Sequence, residues 1–214
     1  MKVTSITAQL RDKDRVNVSV DGKYLFSLDI AQLSDLGVKV GRDYDDFDIE
    51  KFKLESEFGK VYARTLEYCL VRPRSRREVM DYLRKKSRPI RKKNGQISPG
   101  VSNGITDRVM SRLIDRGYID DQKFASFWVE NRHQKKGIST YKLKFELRAK
   151  GIDNSIIESV LNDSERLDCD EIKKIIIKKQ SRYPDKQKMA TYLIRQGFRF
   201  DDIKESLDLG ETED

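Results

Sequence analysis

The chain has 214 residues, 37% of them charged, and a formal net charge of +8 at pH 7. This length fits one large or two to four small domains. The content of aromatic and aliphatic residues excludes wholesale disorder, and no apolar run approaches the length of a membrane span. The two cysteines, Cys69 and Cys169, have no CxxC partner, which favours reduced thiols in a cytosolic protein.

The N-terminal segment predicts a small β-rich domain over residues 1–57. Apolar and polar residues alternate here as they do in half-buried strands. Short strands are expected at residues 3–10, 15–20 and 23–28. Asp21-Gly22 predicts a tight hairpin between the last two strands. A short helix that ends at Gly37 should follow, and then an acidic connector with Asp48 as a helix cap.

The rest of the chain repeats one helical pattern three times. The copies align on Leu83, Leu147 and Leu193. The other aligned positions are Val79, Leu143 and Met189, the pairs Gly104-Ile105, Gly151-Ile152 and Gly197-Phe198, and the pairs Met110/Ile114, Ile157/Leu161 and Ile203/Leu207. Once an insertion of 17 residues is removed from the first copy, the periods are 47 and 46 residues. Self-similarity at this length is typical of stacked helical units.

Each copy predicts three short helices. In the first copy, Ser75 to Glu78 has the form of a capping box that opens a helix. In the second copy, helices are expected at residues 124–131, 141–150 and 155–161. Asp153 is a suitable N-cap for the last of them. In the third copy, Pro184 suits the first turn of a helix that ends at Gly197.

The insertion in the first copy, residues 87–104, is rich in glycine, proline and basic residues and has no acidic residue. Asn94-Gly95 predicts the tip of a protruding hairpin. The segment could be a basic finger that reaches a phosphate backbone, or a surface insertion without a function. The sequence leaves both interpretations open.

These patterns predict a mainly α-helical protein in which three tandem three-helix modules form an elongated curved array behind the β-rich domain. The expected segments are 1–57 for the β-rich domain, 58–118 for the first module with its basic insertion, 119–163 for the second, 164–208 for the third, and 209–214 for an acidic tail. Such an array presents long continuous surfaces rather than a catalytic pocket.

The positive charge is concentrated in the middle of the chain. Residues 58–160 hold 24 Lys and Arg against 11 Asp and Glu, whereas the segments on either side carry a small excess of acidic residues. A local surplus of 13 positive charges is the electrostatic footprint of a protein that binds a polyanion. A solvated lysine-rich surface without a ligand is the alternative.

Catalytic patterns are absent from the sequence. His133 is the one histidine, and the sequence contains no phosphate-binding GxxxxGK[ST] loop, no GxSxG motif and no cluster with metal-ligand spacing. The acidic pairs Asp120-Asp121 and Asp201-Asp202 begin predicted helices, where capping explains them better than a nuclease site does. We therefore expect no enzymatic activity, no cofactor and no metal.

Three stretches resemble the bacterial regulatory protein RecX family. DRGYIDDQKFASFWVENR (115–132) and LRAKGIDNSIIESVL (147–161) resemble its recurring blocks, and RPRSRREVMDYLRKK (72–86) resembles the opening of its first module. The β-rich N-terminus is also similar to that of some members. The insertion in the first module is a departure, since most members pass directly between these helices.

The resemblance implies tandem three-helix modules, no enzymatic activity and a cytoplasmic bacterial protein. It implies that the partner is the RecA recombinase, usually as a filament on single-stranded DNA, with inhibition of ATP hydrolysis and strand exchange. It thereby suggests a role in homologous recombination, DNA repair and the SOS response. Double-stranded DNA is a second candidate ligand, and we expect a monomer that does not bind membranes.

A helix-turn-helix-like protein that acts on DNA directly is the main alternative, because Arg72 to Arg77 could open a recognition helix. The candidate residues for contact with nucleic acid or with the filament are basic residues of the central segment. They are Arg72, Arg74, Arg76, Arg77, Arg84, Lys85, Lys86, Arg88, Arg91, Lys92, Lys93, Arg132, Lys135, Lys136, Lys142, Lys144, Arg148 and Lys150.

Overall fold

The computed structural model describes residues 1–10, 12–91 and 95–208. Within these residues the chain forms ten α-helices and five short strands, so the prediction of a mainly helical protein with a small N-terminal sheet is confirmed. The described residues divide into two compact units. The first comprises Met1–Arg72 and Val79–Tyr118, and the second comprises Pro73–Glu78 and the residues from Ile119 onward.

The N-terminal sheet is antiparallel, in the order β1–β2–β3. Its strands are β1 (Val3–Ala8), β2 (Arg15–Val20) and β3 (Lys23–Asp29). The predicted strands are confirmed, although the first ends two residues early, at Ala8. Asp21 and Gly22 have φ angles of +49° and +79°, the backbone that a two-residue hairpin requires. Alternate strand residues such as Val18 and Phe26 are buried in the hydrophobic core of this sheet.

Two helices follow the sheet, and the second is much longer than expected. Helix α1 (Ile30–Asp35) begins at a capping box formed by Asp29 and Gln32. Helix α2 (Asp46–Leu70) has 25 residues and begins at Asp45, whose carboxylate accepts a hydrogen bond from the backbone N–H of Asp48 at 2.7 Å. The prediction of Asp48 as the cap is therefore wrong by three residues.

Helix α2 runs across the expected boundary between residues 57 and 58. Ile49 and Phe52, in its first half, are buried against the sheet, and its second half continues without a break to Leu70. Because a continuous helix joins the two regions, the acidic segment is the start of this helix and not a connector. The division into domains stays a prediction.

The first module continues through α3 (Arg76–Ser87) and α4 (Asn103–Asp115), with a two-stranded hairpin between them. The hairpin consists of β4 (Ile90–Arg91) and β5 (Ile97–Ser98), as expected for the insertion. Its tip at Asn94 lies outside the described residues. The basic residues Lys92 and Lys93 also lie outside them.

The alignment of the first copy needs a correction. Helix α4 begins at Asn103, with Ser102 as its N-cap, so Gly104 lies inside a helix, whereas the aligned Gly151 and Gly197 follow the ends of helices. Val109 and Leu113 are fully buried, whereas the predicted Met110 and Ile114 are only half-buried. The apolar pair is displaced by one residue.

Besides the start of α3, the second unit contains, within the described residues 119–208, six helices that form two three-helix groups with separate hydrophobic cores. The first group is α5 (Asp121–Asn131), α6 (Thr140–Ala149) and α7 (Asn154–Asn162), and the second is α8 (Asp168–Lys179), α9 (Lys186–Arg195) and α10 (Phe200–Leu207). Gly151 and Gly197 end the middle helices with φ angles of +79° and +85°, which favour glycine. Pro184 precedes the N-cap Asp185, so its placement in the first turn of α9 is wrong by two residues.

Candidate nucleic-acid interface

The candidate basic residues are divided between the two units. The first unit holds Arg72, Arg84, Lys85, Lys86, Arg88 and Arg91. The second holds Arg74, Arg76, Arg77, Arg132, Lys135, Lys136, Lys142, Lys144, Arg148 and Lys150. Lys92, Lys93 and the acidic segment 209–214 lie outside the described residues. The geometry of the site is therefore described one unit at a time.

In the first unit, cations follow the last turn of α3 into the hairpin. Arg84 forms an exposed ion pair with Asp81 at 3.2 Å, and the ammonium group of Lys86 lies 5.1 Å from the ring centroid of Tyr82. Lys85 is exposed, and so are Arg88 and Arg91 in the hairpin segment. Because an exposed cation keeps its hydration and its conformational freedom, these three side chains can turn toward a phosphate at little cost.

In the second unit, the start of α3 is fixed to the end of α6. The buried Ser75 hydroxyl donates to the carbonyl of Lys150 at 2.9 Å and accepts from the N–H of Glu78 at 3.1 Å. The Lys150 ammonium group pairs with Glu78 at 2.8 Å. Arg76 and Arg77, both exposed, are consequently held beside the C-terminal end of α6.

Two candidates have structural partners in this unit. Arg132 donates twice to the Glu146 carboxylate, at 2.7 and 2.9 Å, and its guanidinium lies over the ring of Trp128. The hydrogen bond to Glu146 raises the pKa of Arg132. Burial alone would raise the pKa of Glu146, but hydrogen bonds from Arg132 and Trp128 outweigh burial and lower it. The Lys150 ammonium group, which pairs with Glu78, also lies 5.3 Å from the centroid of the Trp128 ring.

Several other candidate cations of the second unit differ in whether their side chains have a hydrogen-bond or ion-pair partner. Lys144 pairs with Glu158 at 2.9 Å, and Lys142 donates to the side chain of Gln196. Arg148 is exposed and donates to Asn154 from one nitrogen only. Lys135 and Lys136 are exposed in the turn after α5, and neither forms an ion pair with a residue that the structure describes.

The structure adds a lysine cleft that the sequence did not reveal. A cavity of about 500 Å³ between α6, α8 and α9 is lined by Lys136 and Lys142, and also by Lys178 and Lys179. The last two lie in a segment whose overall charge is slightly negative, so averaging the charge along the chain concealed them. His133 lies at the same cleft, with a φ angle of +50°. Burial, followed by the charge of Arg132, lowers the pKa of its imidazole.

Sequence reasoning also missed two exposed aromatic residues on α6. The side chains of Tyr141 and Phe145 are 68% and 67% exposed, on the helix that carries Lys144 and Arg148. Among residues 1–10, 12–91 and 95–208, no group of three or more His, Cys, Asp or Glu side chains could hold a metal ion. No helix in these same ranges is both long and apolar enough to cross a membrane.

Comparison with known proteins places this chain in a family. The family described as "RecX, second three-helix domain" matches residues 120–161, and the "Regulatory protein RecX N-terminal domain" matches residues 1–45. The chain is 34% identical to the regulatory protein RecX of Bacillus subtilis over 218 aligned residues, which cover 99% of this chain and 78% of the relative. The chain belongs to the RecX family.

Other RecX proteins support this assignment. The regulatory protein RecX of Bacillus licheniformis is 30% identical over 96% of this chain and 76% of its own length. A crystal structure of regulatory protein RecX has the same fold, with a TM-score of 0.69 and 23% identity, and the match covers 97% of this chain and 98% of that structure. The crystal structure of RecX from Lactobacillus salivarius matches 71% of this chain and 95% of its own, with a TM-score of 0.54.

Proposed function

We propose that this chain binds the RecA recombinase assembled on single-stranded DNA and inhibits its ATP hydrolysis and strand exchange. Membership of the RecX family over nearly the whole chain is the observation that carries this proposal. A regulator of this kind needs no reaction centre of its own, which agrees with a sequence that contains no recognisable catalytic motif.

The distribution of charge supports a nucleoprotein as the partner. The exposed cations Arg76, Arg77 and Lys85 form no ion pair with any described residue, so they are available to phosphates or to acidic side chains. Arg132 and Lys150, in contrast, have acidic partners within the chain. We therefore assign contact with the filament to the first group and structural support to the second.

The test is the ATP hydrolysis that RecA catalyses on single-stranded DNA, measured with substoichiometric amounts of the purified chain. We expect slower hydrolysis with RecA present and none by the chain alone. The double variant Arg76→Glu/Arg77→Glu should inhibit less. Lys13→Glu/Lys23→Glu changes the net charge equally, on exposed residues of the β-rich region, and should inhibit as well as the unmodified chain. Control rates of hydrolysis with excess protein would rule out the proposal.

Direct recognition of a DNA sequence is the second candidate, because Arg76 and Arg77 lie exposed in the first turn of α3, where a recognition helix contacts base edges. A protein of that class has a specific affinity at least ~10³-fold above its affinity for random DNA. Binding to a pool of random duplexes, followed by selection and sequencing, measures this ratio. The filament regulator should enrich no sequence.

A further inference from the structure

One face of α6 combines exposed aromatic and basic side chains. Tyr141, Lys144, Phe145 and Arg148 are spaced i, i+3, i+4 and i+7, and residues at this spacing lie on the same side of a helix. We call this face the α6 stripe. Leu143 and Leu147, on the opposite side, are 1% and 0% exposed and hold the helix in the core of its three-helix group. The stripe therefore points away from the core.

Packing of the module does not require aromatic residues at these positions. The residues of α3 that align with Tyr141, Phe145 and Arg148 are Arg77, Asp81 and Arg84, and those of α9 are Gln187, Thr191 and Ile194. The other two modules thus form the same helix without an exposed ring. Two large aromatic side chains left about two-thirds in water on one face suggest a surface that meets a ligand.

Contacts at both ends of the stripe hold it in place. An added Cβ at Gly197 would lie 2.8 Å from Cδ1 of Tyr141, so the Tyr141 ring rests directly against the backbone at the end of α9. An added Cβ at Gly151 would lie 3.0 Å from Cβ of Arg77, which brings that arginine to the other end of α6. Tyr141 and Arg77 are consequently restricted in position, which lowers the entropy that these two side chains lose when a ligand binds.

The charge around the stripe selects the ligand. Arg77 and Arg148 are exposed and positive, and two of the nearby acids are neutralised, Glu158 by Lys144 and Glu146 by Arg132. Flat rings on the same helix face as exposed cations match a chain whose units alternate a flat base with a phosphate. In proteins that bind single strands without sequence preference, successive bases stack on aromatic side chains while a basic groove follows the backbone.

We propose that the α6 stripe is a base-stacking site for single-stranded nucleic acid, in which Tyr141 and Phe145 stack on unpaired bases and Arg77 and Arg148 bind the adjacent phosphates. The proposal rests on the proposed function in that it places nucleic acid against the basic part of the chain. It adds a preference for unpaired bases, which charge alone cannot provide. Bases inside a duplex are not accessible to such stacking.

The experiment compares three fluorescently labelled probes of equal length by anisotropy, with the full chain. The probes are oligothymidylate, an abasic deoxyribose-phosphate strand and a duplex. Phe145→Ala and Tyr141→Ala/Phe145→Ala should each bind oligothymidylate more weakly, the double variant by about tenfold or more, because each stacked base contributes about five- to hundredfold in affinity. Affinity for the abasic strand and the duplex should change less than about twofold, since no phosphate contact is removed.

Matched variants separate stacking from packing. Phe145→Tyr and Tyr141→Phe keep a ring at each position and should bind oligothymidylate like the unmodified chain. Phe200→Ala removes a ring that is 56% exposed on α10 and should have no effect. An equal loss on all three probes, unchanged binding to oligothymidylate, or a wild-type chain that binds none of the probes would each overturn the stacking site. Inhibition of RecA is measured separately, so it can succeed or fail independently of this result.

Discussion

Glu171 is the residue with the most concentrated set of polar contacts in the second unit. It is only 1% exposed, and its carboxylate accepts from Arg166 at 2.8 and 2.9 Å, from Lys174 at 2.6 Å and from the N–H of Ile138 at 3.0 Å. Arg166 also donates to the carbonyl of Val129. Glu171 thus joins α8 to the loop before α6 and, through Arg166, to the end of α5.

Replacing Glu171 by Gln should destabilise the protein by about 3 kcal/mol, because the positive charges that face this buried site would lose their partner. The measurement is the free energy of unfolding in urea. Glu165→Gln removes an exposed carboxylate nearby and should change that free energy by less than about 0.5 kcal/mol. Equal stability of the two variants would show that the buried ion pairs contribute no net free energy.

The contribution of Glu171 should also depend on pH. Burial alone would raise the pKa of its carboxyl, but hydrogen bonds from Arg166, Lys174 and Ile138 outweigh burial and lower the pKa below its usual value of 4.5. A lowered pKa in the folded state means that the stabilisation is present above the unfolded pKa and is lost as the pH falls through the folded pKa. The difference in stability between wild type and Glu171→Gln should therefore shrink as the solution is acidified below about pH 4.

At the scale of elements, the second unit contains the same helix joint twice. Ser75 and Ser139 both cap a helix and donate to the carbonyl of the C-cap residue of another helix, Lys150 for Ser75 and Gln196 for Ser139. The next residue in each case donates its N–H to the first aspartate of a helix: Arg76 to Asp121, and Thr140 to Asp168. The Glu78–Lys150 pair in one joint corresponds to Lys142 and Gln196 in the other.

Replacing Ser139 by Ala should lower the free energy of unfolding by about 1–2 kcal/mol. The substitution removes the cap of α6 and leaves the carbonyl of Gln196 without this donor. Ser75→Ala should cost a similar amount, because its contacts are equivalent. Ser155→Ala, at an exposed position in the first turn of α7, is the matched control. A loss of stability at Ser155 as large as that at Ser139 would argue against the joint.

The hairpin should be removable without loss of the first module. The backbone N–H of Val101 donates to the carbonyl of Lys86, and Ser102 caps α4, so the module needs the C-terminal end of the insertion but not its strands. Replacing residues 89–98 by a short Gly-Ser link should leave the melting temperature nearly unchanged, because a change in loop length alters the closure entropy only slightly. If the hairpin is a basic finger, the same variant binds single-stranded DNA more weakly. Equal binding would identify a passive insertion.

Across the whole molecule, the features that could be predicted are those that depend on residues close together in the sequence. The strands, the Asp21-Gly22 hairpin and the buried positions Leu83, Leu147 and Leu193 follow from alternation, turn residues and helical spacing, and the structure confirms them. The length of α2 was missed, because an acidic run looks the same in a connector and in the first turn of a helix.

The joints and the lysine cleft could not be predicted, because they bring together residues far apart in sequence. Ser75 and Lys150 are separated by 75 positions, and Lys142 and Gln196 by 54. Nothing in the sequence distinguishes a cation such as Arg132, which has an internal partner, from an exposed one such as Arg76. The α6 stripe could have been found, because Tyr141 and Phe145 occupy the polar side of a predicted helix.

The surplus of positive charge between residues 58 and 160 makes a quantitative prediction about the whole molecule. Binding to single-stranded DNA should depend little on sequence and strongly on salt, because cations on phosphates displace counterions. About four phosphate contacts would give a slope of log affinity against log salt near −3. Arg76→Glu/Arg77→Glu should reduce the slope to about −1.5, because two contacts are lost. Lys13→Glu/Lys23→Glu lowers the net charge by the same amount and should leave the slope unchanged. If the slope falls equally in both variants, binding depends on the overall charge of the protein and not on defined phosphate contacts.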